Sequence, residues 1–208
     1  MSRSTRHNVD DTEVFFLYSV HIPTRTIYLG SAEYTADENE TGVDFAMAER
    51  FIKGLHILDS LSPTGDNPIN IIMNNPGGDV THGLAIYDSI SACKSHVTIK
   101  VRGNACSMGG YILQAADERI MSPNSVFMFH AGYDAFNSNH PKIIKKWVKF
   151  NEEQGERVDK ILLDKINSKR DKDSKPRMSK SHFDKLNDFD TILTPEETVE
   201  MGLADKIE

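Results

Sequence analysis

Two cysteines, Cys93 and Cys106, are all that 208 residues contain, which is too few for a disulfide framework. The chain reads as intracellular, with both thiols as small buried hydrophobes. No stretch approaches the ~20 apolar residues of a membrane span, and Met1 to Asp11 lack the apolar core of a signal peptide. A cytoplasmic protein without membrane contact is expected. Basic charge is also scarce, since 24 Lys and Arg stand against 31 Asp and Glu for a net of −7. A surface that tracks phosphates needs an excess of Lys and Arg, so nucleic-acid binding is excluded as the main activity. No P-loop occurs either, which leaves the chain without its own nucleotide motor.

What is present is enough for one core. A hydrophobic content of 38% over this length supports a single domain spanning 1–208, with 1–12 as a flexible polar arm. Val14 to Tyr18 and Thr26 to Gly30 are β-branched and aromatic runs and read as strands. From Val43 to Leu61 apolar residues recur at helical spacing, ending before Ser62-Pro63-Thr64-Gly65, after a polar connection at Thr35 to Thr41. Ile69 to Met73 reads as a strand that stops at Asn74-Asn75-Pro76-Gly77-Gly78, and Val80 to Ala92 as an amphipathic helix. The order then repeats: strand Val97 to Val101, turn Gly103 to Cys106, helix Ser107 to Ala116. Arg119 to Met121 and Val126 to Phe129 add two strands around a Pro123-Asn124 turn. Alternating β and α segments imply a largely parallel sheet wrapped by helices. A long helix over Ile143 to Ile166 is expected to project, Asn167 to Lys180 reads as a solvated basic loop, and Pro195 opens a last helix that Gly202 stops.

Ser107 stands between a strand and a helix, with small residues on both sides. Backbone N–H groups at a helix start favour a developing negative charge, as in the tetrahedral intermediate of acyl transfer. A serine that merely caps the helix fits the same segment equally well. The glycines of Pro76-Gly77-Gly78 would let a substrate backbone approach, yet alone they make only a turn. The segment is not a G-x-S-x-G elbow, because residue 105 is Ala. Among eight histidines, His130 is distinctive in closing an apolar strand, where a side chain lies at the mouth of the sheet. Asp184, Asp188 and Asp190 offer three carboxylates that the pattern alone does not separate.

Taken together, Asn75-Pro76-Gly77-Gly78, Gly83-Leu84, Gly103 to Gly109, Pro123-Asn124-Ser125, Met128-Phe129-His130, Asp190 to Glu197 and Gly202 to Asp205 resemble the Clp protease proteolytic subunit family. The resemblance runs in order from about Arg25 to Ile207. It implies an α/β fold of the crotonase/ClpP-like type, a spiral of ββα units with a projecting long helix. It also implies Ser107 as nucleophile, His130 as general base and Asp190 as the acid that orients it, with the N–H groups of Gly78 and Met108 as oxyanion hole. No metal or organic cofactor is implied. The activity would be a serine endopeptidase acting on unfolded polypeptides inside a ring-shaped homo-oligomer, heptameric and stackable to a tetradecamer, fed by a Clp-type AAA+ unfoldase. A phage-type head-maturation peptidase and an inactive scaffolding ring subunit are the alternatives. Where family members carry Gln-Pro or Asn-Pro after the base, this chain has Ala131-Gly132-Tyr133, followed by Asp134 to Asn139.

Overall fold

The computed structural model of the chain describes residues 11–30, 42–132 and 140–208. The expectations placed on the arm before Asp11, on the connection at Thr35 to Thr41 and on Tyr133 to Asn139 lie outside those residues. In chain order the elements are α1 (Asp11–Tyr18), β1 (Val20–His21), β2 (Thr26–Leu29), α2 (Phe45–Ser60), β3 (Ile69–Asn75), α3 (Val80–Ser91), β4 (Val97–Cys106) and α4 (Met108–Leu113). They continue with β5 (Glu118–Met121), β6 (Val126–Phe129), α5 (Pro141–Lys172), α6 (Lys180–Asn187), β7 (Thr191–Leu193), α7 (Pro195–Met201) and β8 (Lys206–Ile207).

The strands form one sheet in the order β1-β2-β3-β4-β5-β8, with β6 branching from β4 and carrying β7. Among the described residues every pairing is parallel except β1 with β2 and β6 with β7. The period of two is plain in β3, where Ile69, Ile71 and Met73 are fully buried on one face. Ile71 lies between Ile27 and Ile99, and Met73 between Leu29 and Val101, so β-branched and long apolar side chains line up across three strands. Against this face α2 buries Ala48, Phe51, Leu55 and Leu58, each large side chain contributing about 1.5–3 kcal/mol of transfer free energy. Asp44 caps α2 by accepting from the N–H of Met47 at 2.7 Å, and Asp79 caps α3 by accepting from that of His82 at 2.8 Å. Cys93 and Cys106 are both half-buried, and burial pushes the Cys93 thiol up to about 11. Among the described residues no helix is long and apolar enough to cross a membrane.

Three segments differ from the sequence-based expectation. Val14 to Tyr18 belongs to the helix α1, not to a strand; Phe16, Leu17 and Tyr18 are all exposed, so the run never had the buried face that a strand pattern implies. Gly103 to Cys106 is not a turn but the second half of β4. At Gly103 the strand presses on Asn74, whose Oδ1 would sit 2.4 Å from a Cβ there and accepts from the N–H of Asn104. The register between β3 and β4 shifts at that point, and on the other edge of β4, beyond Val101 where the pairing with β5 stops, the strand goes on to pair with β6. Asn167 to Lys180 is a surface loop only in its second half, over the largely exposed residues 173–179. α5 continues to Lys172, and the buried side chain of Asn167 holds the chain that follows, donating to the carbonyl of Met178 and accepting from its N–H at 3.1 and 2.7 Å. The helix α5 does reach beyond the core: Val158, Leu162 and Ile166 are buried, whereas Ile143, Trp147 and Phe150 are exposed.

Candidate active site

β4 ends at Cys106, and α4 begins at Met108, so Ser107 alone makes the turn between them. Its backbone takes φ 50° and ψ −125°, a region that costs a non-glycine residue about 1–3 kcal/mol. The turn is held from both sides: the Ser107 N–H donates to the Met128 carbonyl at 2.7 Å, and its carbonyl accepts from the Gly110 N–H at 2.9 Å. Although Ser107 occupies the N-cap position, its hydroxyl makes no cap bond to α4. The capping role open to it on sequence grounds is therefore not the one it plays.

The hydroxyl is met instead by His130, whose Nε2 lies 2.9 Å from Ser107 Oγ. The sheet explains this meeting. β6 runs parallel to the end of β4 with Cys106 opposite Met128, so the residues just past each strand end face the same opening. Beyond β6, the N–H of Ala131 donates to the carbonyl of Asn187 at 2.8 Å and fixes the chain on the far side of the histidine.

The other ring nitrogen, Nδ1, stands 3.1 Å from Asp190 Oδ1. β7 is antiparallel to β6 with Thr191 opposite Phe129, which makes Asp190 and His130 the next facing pair. The hydroxyl of Thr191 donates to the Leu186 carbonyl at 2.6 Å and secures the start of β7. Of the three carboxylates the sequence offered, Asp190 alone reaches the histidine. Asp184 pairs with Lys180, and Asp188 caps the C-terminus of α6. The His130 side chain is 18% exposed and that of Asp190 58%, so the acid stands on the rim.

Facing Ser107 is the turn Pro76-Gly77-Gly78. Asn75 is fully buried and its Oδ1 accepts from the Gly77 N–H at 2.9 Å. Gly77 and Gly78 have φ of 103° and 138°, values open to glycine. Gly78 forms a bridge with Val43, in which the Val43 N–H donates to Gly77 and its carbonyl accepts from Asp79. Among the described residues neither the Gly78 N–H nor the Met108 N–H donates to a protein acceptor. Met108 is the first residue of α4, where an N–H has no partner within the helix.

A cleft of about 1200 Å³ opens over these groups, between α3 and α4 on one side and α5 on the other. Tyr111 and Trp147 contribute to its walls, and Asp159 lies at its lining. Burial raises both the Tyr111 phenol and the Asp159 carboxyl above their ordinary ranges. Asp159 and Asn187 were not singled out from the sequence, where each is one polar residue in a polar stretch.

The arrangement places a hydroxyl, an imidazole and a carboxylate in line beside two unengaged N–H groups, which is the set required for acyl transfer. A family model described as Clp protease matches residues 38–208. Over 193 residues, 92% of this chain and 83% of its relative, the sequence is 32% identical to the ATP-dependent Clp protease proteolytic subunit of Deinococcus radiodurans.

Proposed function

The chain belongs to the Clp protease family and is a serine peptidase of the Clp type; from that premise we propose that Ser107, His130 and Asp190 are its nucleophile, general base and orienting acid. The contact of His130 Nε2 with Ser107 Oγ at 2.9 Å is the observation that carries the reading. As Oγ attacks a peptide carbonyl carbon, His130 accepts its proton, and the carbonyl oxygen takes up negative charge. In this reading the N–H groups of Gly78 and Met108 bind that oxygen. Return of the proton from His130 to the amine nitrogen breaks the C–N bond and leaves an acyl-enzyme. Water, deprotonated by the same histidine, then releases the acid and restores Ser107. Asp190 holds the ring with Nδ1 protonated, so that Nε2 presents its lone pair to the hydroxyl.

Family members assemble as rings that work with Clp ATPases. For this chain we take the ring to be a heptamer, stackable to a tetradecamer, its substrates to be unfolded polypeptides delivered by an AAA+ unfoldase, and its compartment to be the cytoplasm. No observation favours a phage-type maturation peptidase or an inactive scaffold. The test is labelling with a fluorophosphonate, with intact-mass and native-mass measurement on the same sample. One adduct per subunit on Ser107 in an assembly of seven or fourteen subunits is expected; an unlabelled protein, or an adduct elsewhere, overturns the assignment.

A further inference from the structure

Asn75 closes β3 with its side chain fully buried, and the two ends of its amide face different elements. The Gly77 N–H can only donate, so it is Oδ1 that turns towards it, at 2.9 Å. Nδ2 then points the other way and meets the thioether sulfur of Met47, on α2, at 3.4 Å. A thioether is a weak acceptor, yet among the described residues no other acceptor serves Nδ2. We infer that Met47 is a positioning residue of the peptidase, whose sulfur acts through Asn75 to set the Gly77–Gly78 turn where the Gly78 N–H meets the substrate oxyanion. That role rests on the reading of Ser107 as nucleophile and of Gly78 as an oxyanion donor.

Short steps tie the sulfur to the reacting centre. Asn75 also has α4 against it: a Cβ on Gly109 would stand 2.8 Å from the Asn75 carbonyl oxygen and 3.1 Å from its Oδ1. The amide is thus wedged between α2, the glycine turn and the start of α4. Gly77, which that amide holds, lies in turn against Ser107. The main chain of Met47 is fixed independently, because its N–H donates to the capping carboxylate of Asp44 at 2.7 Å. Just ahead of that cap, Val43 bridges Gly78, donating to the Gly77 carbonyl and accepting from the Asp79 N–H. The start of α2 therefore grips the turn twice, by main chain at Val43 and by side chain at Met47.

Met47 is partly buried and packs against the core, so a leucine there keeps the volume and removes the acceptor. Nδ2 is then buried without a partner, an unfavourable state that the amide relieves by rotating away from Gly77. The turn loses the side-chain bond that anchors it, and the Gly78 N–H moves with the turn. An oxyanion exists in the transition state and not in the bound substrate. Displacing its donor therefore lowers turnover and leaves binding alone.

The experiment uses the assembled full chain, with native mass checking that each variant forms the same assembly and a plain fluorophosphonate reporting on Ser107. On one short peptide, Met47→Leu is expected to lower kcat by about five- to tenfold with KM unchanged. Asn75→Ser keeps an oxygen that accepts from the N–H two residues on but has no Nδ2. In that background Met47→Leu is expected to change kcat by less than about twofold. Asn75→Ala, which also lacks Nδ2, closes the same cycle where the serine variant does not assemble. A kcat unmoved by Met47→Leu, or a loss confined to KM, overturns the positioning role. An equal loss in both backgrounds overturns it too, because α2 would then act without Asn75. Silence of the fluorophosphonate towards the unmutated chain instead overturns Ser107 as nucleophile, and the role of Met47 with it.

Discussion

Gly77 is in direct contact with the turn that carries Ser107: a Cβ added to it would stand 2.5 Å from Ser107 Cβ, 2.8 Å from the Cys106 carbonyl oxygen and 3.0 Å from the Met108 nitrogen. None of these three is the end of a flexible side chain, so nothing yields without moving the reacting centre. With φ at 103° an L side chain is strained as well. Gly77→Ala is therefore expected to lower kcat/KM on a short peptide by roughly 100-fold or more and to destabilise the fold by about 1–3 kcal/mol. Peptidase assays paired with urea unfolding would show it; near-normal turnover would mean that the two turns are looser than the contact implies.

The role of the acid separates two neighbours. Asp190→Asn keeps the shape of the side chain but favours the wrong imidazole tautomer, and a loss of roughly 10⁴ in kcat is expected. Asp188→Asn, at the end of α6, is expected to cost little. Measured on one peptide under identical assembly, a large loss at Asp188 with normal turnover at Asp190 would reverse the assignment.

Two replacements of Ser107 should part company in stability. Ser107→Ala is expected to abolish hydrolysis and labelling but to keep the strained backbone at φ 50°. Ser107→Gly is expected to be equally inactive, yet it relieves a conformation that glycine adopts freely. After the larger unfolded-state entropy of glycine is set against that relief, it should be more stable than Ser107→Ala by about 1 kcal/mol. Paired denaturation curves decide this, and a less stable Gly variant would show that the turn is not strained in solution.

Acid sensitivity has a nameable source at the C-terminus. Arg119 binds both carboxylate oxygens of Asp205, at 2.6 and 3.0 Å, and also donates to Gln114 and to the Gly202 carbonyl. Burial alone would raise the Asp205 carboxyl, but these bonds outweigh it and hold it below the usual range. The stabilisation is then fully present above the unfolded Asp value of about 3.9 and is lost as pH falls through the lower folded value. Asp205→Asn should cost about 2 kcal/mol near neutrality, less than a fully buried pair because Asp205 is 40% exposed. It should also flatten the stability loss below about pH 4. An unchanged acid limb would assign that limb to other carboxylates.

How far these features were legible in the sequence depends on what each segment is made of. β2, β3, α2, α3 and β6 could be read directly, because their apolar residues follow the period of the element that buries them. Thr194, Pro195, Glu197 and Gly202 announced α7, and the structure shows the reciprocal cap between Thr194 and Glu197. Val14 to Tyr18 misled, since a run apolar on every side has no period to separate helix from strand. α6 escaped because Phe183 and Leu186 are its main apolar contacts and its buried Asn187 looks solvated on paper. The site depended on order more than on local pattern: Ser107, His130 and Asp190 lie on three segments that only the register of β4, β6 and β7 brings together.

That register has a consequence for quality control. The short ladder from Asn104–Val126 to Cys106–Met128, continued by the bond from the Ser107 N–H to Met128, aligns the hydroxyl with the imidazole, and successive residues of a strand point to opposite faces. A slip of one residue during folding would turn His130 away from Ser107 while leaving the sheet paired. Such a misassembled subunit would be inert, so a hydrolase that must not digest its own cell fails safe when it folds wrongly.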